Sequence, residues 1–219
     1  MGAFTPAAND LLIGVAALAG TSTEPPVATS STGNAGTWTL LDTITFTTAG
    51  NNGRIYAWAY DSAATATSTV VTFKTNAADG ATACQAWVWR VAGMSKYGAA
   101  AKLQACEDNS HAAGTAAATG FGSAVNTNNP TLLFYHDEGT ATGLTVPTSW
   151  TEPSSPASEG VSGGTPNSRG DSANRDSGFT GTTITWGTAS TGVYGHYGIE
   201  LDTSAAATTQ VIPVIVVAT

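Results

Sequence analysis

Charged side chains are scarce in this chain of 219 residues. Lys, Arg, Asp and Glu together make up 10% of the sequence, and acidic residues outnumber basic ones 15 to 7, which gives a formal net charge of −8. An acidic surface repels phosphate backbones, so the composition argues against nucleic acid as a partner. Apolar runs stay shorter than the roughly 20 residues that cross a bilayer as a helix, so we expect no membrane partner.

Cysteine is nearly absent as well. Cys84 and Cys106 are too few to build a disulfide framework, and we expect two thiols, with a single bridge as the alternative. Residues 11–18 resemble the apolar core of a signal peptide. However, no Lys or Arg precedes them and Asp10 adjoins them, so we interpret them as a buried strand.

Catalytic motifs are missing too. The sequence contains no G-x-S-x-G, P-loop, H-E-x-x-H or C-x-x-C pattern. His136 is followed by two carboxylates, Asp137 and Glu138, and this group could bind a metal or transfer protons. Because no second ligand cluster is evident, we interpret it as a solvated loop at the end of a strand. We therefore expect no enzymatic activity, no metal and no cofactor.

Other polar groups have equally simple explanations. His196 and Glu200 share one face of a predicted strand and are interpreted as surface residues. The tripeptide Arg169-Gly170-Asp171, known from integrin ligands, falls in a Gly- and Ser-rich stretch that we predict to be a loop, and we attribute it to chance. Two oxygen-rich groups lack the D-x-D-x-D-G pattern of a calcium loop; they are Glu107-Asp108-Asn109 and the set Asp171, Asn174 and Asp176.

Strand-forming patterns account for most of the remaining sequence. The chain is 42% hydrophobic with six Trp, enough to form a core. Residues 11–18 are apolar on both parities, which predicts a central strand covered on both faces. Residues 38–46 and 54–60 follow a period of two around a turn at residues 49–53, and they predict a hairpin. Residues 69–73 then predict the third strand of an antiparallel meander.

A further strand and a long irregular stretch complete the first half. Residues 83–91 predict a strand with Trp87, Trp89 and Val91 pointing inward. Residues 98–129 are rich in Ala and interrupted by Gly, and we predict that they are mostly structureless.

Three aromatic residues of the hairpin are candidates for ligand binding. Tyr56, Trp58 and Tyr60 share one face of residues 54–60, while Ile55, Ala57 and Ala59 share the other. On a solvent-facing sheet, such a row could stack on sugar rings. The alternative is that the row packs between two sheets, and that the small residues face outward under a second covering layer.

The strand pattern of residues 9–98 recurs in residues 129–202. Four anchors repeat in one order at offsets of about 110 to 120 residues; the pairs are Leu12 and Leu133, Trp38 and Trp150, Phe73 and Trp186, and Val91 and Leu201. In the second copy, a loop at residues 154–177 replaces the aromatic hairpin. Neither copy can close a core by itself, so we predict one domain over residues 9–202, an all-β, jelly-roll-like antiparallel β-sandwich of about eight to ten strands.

The two chain ends differ from the repeated pattern. Residues 1–8, including Phe4, form a short arm with no strand or helix pattern. Residues 203–219 are an Ala- and Thr-rich linker followed by an aliphatic run around Pro213, which restricts that run to an edge strand. The run closes the edge of its own sandwich or docks on a neighbouring subunit. The candidate assembly residues are Val211, Ile212, Val214, Ile215, Val216 and Val217 of this run, together with Phe4 of the arm.

The order of these segments resembles a broad β-sandwich family of tailed-bacteriophage structural proteins and some bacterial surface proteins. The segments are NDLLIGVAAL, TWTLLD, IYAWAYDSA, the T-x-T-V-x-T-F run and WVWRVAGM, and the resemblance covers residues 9–202. It implies a non-enzymatic capsid decoration or cement protein, assembled in the host cytoplasm and located in the virion. The implied partners are the major capsid protein or another virion protein and further copies of the chain, of which a trimer is one option. The alternative is a carbohydrate-binding attachment module for a host-surface glycan.

Overall fold

Strands dominate the fold of this chain. The computed structural model describes residues 2–20, 29–48, 51–73, 81–108, 116–138, 144–153, 160–162, 168–189, 193–203 and 210–214. Its strands are β1 (Leu11–Gly20), β2 (Thr29–Thr32), β3 (Trp38–Thr48), β4 (Asn51–Tyr60), β5 (Val70–Phe73), β6 (Ala81–Ala92), β7 (Lys102–Asp108), β8 (Ala116–Gly120), β9 (Thr131–Glu138), β10 (Gly160–Ser162), β11 (Ser168–Arg175), β12 (Thr183–Ala189), β13 (Val193–Leu201) and β14 (Gln210–Val214). A short 3-10 helix, Gly98–Ala101, precedes β7.

Two five-stranded antiparallel sheets form the body of the molecule. Sheet I has the order β14-β6-β1-β4-β3, and sheet II has the order β10-β11-β9-β13-β7. Their facing sides share one apolar core, which contains Leu11, Ile13, Trp87 and Trp89 of sheet I and Phe134 of sheet II, among other residues. The predicted all-β antiparallel sandwich is therefore confirmed. In the described part of the chain, no helix is long and apolar enough to cross a membrane.

The two sheets have the same connectivity, as expected for two diverged copies. From one edge to the other, β14, β6, β1, β4 and β3 correspond to β7, β13, β9, β11 and β10. The edge strands β7 and β14 are exchanged between the copies. Thus β7 follows β6 in the chain but pairs with β13, and β14 follows β13 but pairs with β6.

A two-stranded sheet covers the outer face of each large sheet. The sheet β2-β5 lies over sheet I, where Phe73 packs against Trp58, and the sheet β8-β12 lies over sheet II, where Trp186 packs against Tyr135. The result is a stack of four layers. Because both faces of each large sheet are covered at its centre, the central strands β1 and β9 are buried on both parities over residues 11–18 and 131–137. The prediction that β1 is a central strand is confirmed by its pairing with β4 and β6.

Several predicted loops contain strands. Residues 154–177, predicted as a loop, include β10 and β11, and residues 98–129, predicted as mostly structureless, include β7 and β8. These strands are short or rich in polar and small residues, so their alternation is hidden in the sequence. The meander was also wrong in its third strand, because β5 pairs with β2 in a covering sheet and not with β4.

A β-bulge reverses part of the predicted pattern in β3. The register shifts between Leu40 and Asp42, so Leu41 turns inward and Leu40 is 49% exposed. The hairpin of β3 and β4 is confirmed, but its turn is tighter than predicted. Thr48 pairs with Asn51, and Gly53 belongs to β4.

The N-terminal arm is folded onto the sandwich. Phe4 exchanges two backbone hydrogen bonds with Thr69, at 3.0 and 2.7 Å, and packs beside Leu12 and Tyr60. Asp10 accepts hydrogen bonds from the Ala7 amide and from Arg90 Nε, both at 2.8 Å. The arm is therefore hydrogen-bonded to the sandwich, which its sequence did not indicate.

Candidate functional site

Polar and aromatic side chains converge at one end of sheet II. The register of β9, β11 and β13 places Arg169 and Tyr194 on either side of Asp137, and Asp171 and His196 on either side of Tyr135. Because side chains alternate along a strand, all of these residues face the covering layer. We call this group, completed by Trp186 of β12, the polar cluster of sheet II. Its members are Tyr135, Asp137, Arg169, Asp171, Trp186, Tyr194 and His196.

A buried ion pair lies at the centre of the polar cluster. Arg169 Nη2 donates to Asp137 Oδ2 at 3.0 Å, and both side chains are fully buried. The Tyr135 hydroxyl donates to the same carboxylate oxygen at 3.0 Å. Removing charges from water costs several kcal/mol per ion, so the pair holds only while both partners and their hydrogen bonds are in place. Replacing either partner of this pair should therefore destabilise the end of sheet II.

The rings of four members of the polar cluster pack against one another. The ring of Tyr135 lies 5.2 Å from Trp186 and 5.6 Å from Tyr194, between ring centroids. Trp186 meets His196 edge to face at 5.8 Å. All four side chains are completely buried. The cluster is thus part of the packed interior and not an open cleft.

His196 is held neutral inside the polar cluster. Its side chain is fully buried, and neither ring nitrogen has a hydrogen-bond partner within the described residues. Burial disfavours the charged imidazolium and lowers the pKa of His196 to about 3. A neutral imidazole packed against an indole ring acts as an aromatic filler at neutral pH.

A second buried histidine lies on the opposite face of the same sheet. His136 Nδ1 lies 3.2 Å from Gln85 Oε1 of sheet I, which assigns the proton to Nδ1 because an amide oxygen can only accept. Burial lowers the pKa of His136 to about 3. Its register partners are Gly170 and Gly195. A Cβ on Gly195 would come within 2.4 Å of the Phe46 ring, so glycine is what allows Phe46 to approach this part of sheet II.

The environments predicted for these residues from the sequence were wrong. His136, Asp137 and Glu138 belong to β9 and not to a solvated loop, and Arg169, Gly170 and Asp171 belong to β11 and not to a flexible loop. His196 and Glu200 are fully buried and not on the surface. The sequence did not indicate the covering layer. Because β12 lies over sheet II, the polar residues on the outer parity of the sheet II strands are enclosed.

Glu200 has a structural explanation. Its carboxylate accepts hydrogen bonds from Gln104 Nε2 at 2.5 Å, from the Asn126 amide at 2.9 Å and from Asn129 Nδ2 at 2.7 Å. These contacts fasten the segment before β9 to β7 and β13.

Another polar group links β3, an edge strand of sheet I, to β7, an edge strand of sheet II. Lys102 Nζ donates to the Leu41 carbonyl at 2.6 Å and lies 3.4 Å from Asp42 Oδ2. Partial burial, together with the nearby Asp42 carboxylate, raises the pKa of Glu107.

The described residues contain no group of three or more His, Cys, Asp or Glu side chains able to hold a metal ion. Cys106 is a buried thiol, and the Cys84 side chain and Asn109 lie outside the described residues.

The aromatic row of β4 faces the covering layer of sheet I. Tyr56, Trp58 and Tyr60 are 1%, 5% and 7% exposed. The row is thus buried between two sheets, as the alternative interpretation expected, and the second of these is the β2-β5 sheet. Ile55, Ala57 and Ala59 point into the central core, so the prediction that these three face outward was wrong. The second covering layer exists, but it covers the aromatic side. A sugar ring therefore finds no open platform on these three residues.

The C-terminal run is present as the edge strand of sheet I. Val211, Ile212 and Val214 lie opposite Val91, Arg90 and Val88 of β6. Ile215, Val216 and Val217 lie outside the described residues. Their assignment as assembly residues stays a prediction.

Comparisons with known proteins add little to this geometry. No protein family and no curated protein matches the chain. A crystal structure of a GH78 family rhamnosidase of Bacillus sp. GL1 aligns with 96% of this chain at 11% sequence identity and a TM-score of 0.22. The aligned part is 33% of that rhamnosidase, and a similarity this weak carries no argument about fold or function.

Proposed function

We propose that this chain is a non-enzymatic structural protein of a tailed-bacteriophage virion, most specifically a capsid decoration or cement protein. The observation that carries the proposal is that the titratable side chains clustered on β9, β11 and β13 are enclosed between layers. His136, Asp137, Arg169 and His196 are each fully buried. Such side chains stabilise a rigid body, and a rigid body with few surface charges suits a building module.

The sequence resemblance supplies the virion context for this role. A decoration protein binds a shell through its surface and edges and needs no cleft. Here the sheet edges are formed by β3, β7, β10 and β14, and Leu40 and Leu103 on β3 and β7 are 49% and 52% exposed. Unpaired strand edges and exposed leucines are suitable contacts for neighbouring proteins.

The carbohydrate-binding alternative has less support. It requires Tyr56, Trp58 and Tyr60 at the surface, and the sheet β2-β5 and Trp38 cover them. We therefore favour the structural role over a glycan-binding module.

Particle analysis tests the proposal directly. Antibodies raised against the purified chain should label intact particles of the phage whose genome encodes it, and mass spectrometry should find the chain in purified particles at a fixed ratio to the shell protein. Absence of the chain from extensively washed particles would overturn the virion role. Weak labelling of tails alone would overturn the assignment to the capsid.

A further inference from the structure

The two sequence copies within this chain exchange their edge strands. Each large sheet takes one edge strand from the other sequence repeat: β7 of the first repeat completes sheet II, and β14 of the second completes sheet I. We propose that β14 is an exchangeable strand, and that in the assembled protein Gln210–Val214 of one chain pairs with β6 of a second copy of this chain. The inference refines the proposed structural role by naming one partner, and it rests on that role for its biological setting.

The edge of β6 needs a strand in every state of the protein. β14 pairs with residues 88–92 of β6, and Trp89 and Val91 in this stretch are fully buried in the central core. Without β14, the β6 backbone groups that pair with it would lose their hydrogen-bond partners. The edge must therefore be filled, either by β14 of the same chain or by the identical strand of another.

Pairing within a chain and between chains makes the same contacts. In both cases Val211 lies opposite Val91 and Val214 lies opposite Val88. The free energies of the two states then differ mainly by the entropy of association and by the conformation of the connection, as in other domain-swapped proteins. Protein concentration decides between them. A shell that holds many copies side by side raises the local concentration and favours exchange.

The position of β14 makes it easier to release than its counterpart β7. Within the described residues, β14 is the last strand and has one neighbour in its sheet. In contrast, β7 lies in the middle of the chain and is held by Lys102, which binds the Leu41 carbonyl, by Gln104, which binds Glu200, and by the buried Cys106. β14 can leave sheet I without drawing any later described element through the fold.

The connection to β14 is long enough for either partner. Six residues, 204–209, separate Thr203 from Gln210, so the connection spans about 23 Å when fully extended. The two sheets of a sandwich lie about 10 Å apart. The same length that carries the chain from sheet II to sheet I of its own sandwich can carry it to a copy that lies alongside.

Paired cysteine variants test the exchange. Ala92 and Gln210 are register partners, so Ala92→Cys is prepared in one batch and Gln210→Cys in another. The two proteins are mixed at high concentration, incubated, oxidised and separated by non-reducing electrophoresis, and the linked peptides are identified by mass spectrometry. In this mixture the two cysteines are on different chains, so linking of positions 92 and 210 above the level of random collision requires β14 of one chain to lie on β6 of another.

The expected result is a species of twice the chain mass that contains the 92–210 link. The matched control mixes Ala92→Cys with Val214→Cys, since Val214 lies opposite Val88 and not Ala92, and it should yield at least tenfold less linked dimer. A third protein carries both Ala92→Cys and Gln210→Cys in one chain. The exchange is overturned if the 92–210 link forms only in this double variant, as an intrachain bond at the mass of the monomer. Equal linking in the test and control mixtures would also overturn it.

A deletion gives a second, independent readout. Removing residues 205–208 shortens the connection to about 10 Å when fully extended, no more than the spacing between two packed sheets, so the pairing of β14 with β6 of the same chain loses its slack. The exchange predicts that this variant becomes a stable dimer by light scattering, and a monomer with an unfilled β6 edge would overturn it. Both experiments use the purified chain, so their failure leaves the virion role standing, and absence from particles leaves the exchange standing.

Discussion

At the scale of single residues, buried ionisable groups set how this protein responds to acid. His136 and His196 are both fully buried, and burial lowers the pKa of each to about 3. An unfolded histidine has a pKa near 6.5, so the unfolded chain binds these protons first. The stability they provide is complete above pH 6.5 and is lost progressively as the pH falls from 6.5 towards 3.

Acid should therefore destabilise the fold before its carboxylates titrate. We expect the free energy of unfolding, measured in urea, to fall by up to about 1.4 kcal/mol per pH unit for each histidine between pH 6 and pH 5. Replacing His196 by Phe removes one of the two groups and should roughly halve the slope. A stability that stays flat from pH 7 to pH 5 would contradict the burial of both rings in neutral form.

The buried ion pair gives a second prediction at this scale. Asp137→Asn leaves the Arg169 guanidinium buried beside a neutral amide, and we expect it to lower the free energy of unfolding by about 3–5 kcal/mol in urea melts. The control is Asp202→Asn, because Asp202 pairs with the partly exposed Lys96 at 2.5 Å. It should cost about 1 kcal/mol or less. Equal losses in the two variants would show that the Asp137 pair has no special weight.

At the scale of elements, close contact between the two sheets depends on glycine in β13. Gly195 lies beneath the Phe46 ring, and a Cβ there would lie 2.4 Å from Phe46 Cδ1. Phe46 is fully buried between Gly53 of its own hairpin and Gly195 of the other sheet. A side chain at either glycine must push the ring out of a packed core.

Gly195→Ala should thus be destabilising through overpacking alone. We expect a loss of about 1–3 kcal/mol, measured as a shift of the urea midpoint. Gly122→Ala is the matched control, because nothing lies within 4 Å of a Cβ at that position, and its effect should stay within about 0.5 kcal/mol. A neutral Gly195→Ala variant would mean that the sheets can separate locally at little cost.

At the scale of the whole molecule, neither copy is complete alone. The central core combines residues of both copies, and each large sheet takes one edge strand from the other. Residues 1–125 include β7 and lack its partner β13, and they lack the β14 that closes sheet I.

We expect a chain of residues 1–125 to give no cooperative thermal unfolding transition, measured by circular dichroism. The intact chain, as the reference, should unfold in one transition seen at the same midpoint by circular dichroism and by Trp fluorescence. A cooperative melt of the fragment at a similar temperature would show that the first copy is a domain in its own right.

Local patterns in the sequence determined the class of fold. The period of two around Ile44 and Phe46 and the unbroken apolar run of β1 reflect which faces of each strand are buried. These patterns can be read without knowing which strands pair, so strands and an all-β sandwich could be predicted. The recurrence of the same anchors about 110 residues apart likewise indicated two copies, since it requires no knowledge of which strands pair.

Only the tertiary structure decided which residues are enclosed. Asp137, Arg169 and His196 have the composition of a surface loop, and they are buried because β12, a strand of a separate sheet, covers the strands that carry them. Similarly, Tyr56 and Trp58 face outward from sheet I but are covered by β5. A period of two indicates that a strand has two faces. Which face meets water depends on the layer that folds over it, and the pattern within the strand carries no information about that layer.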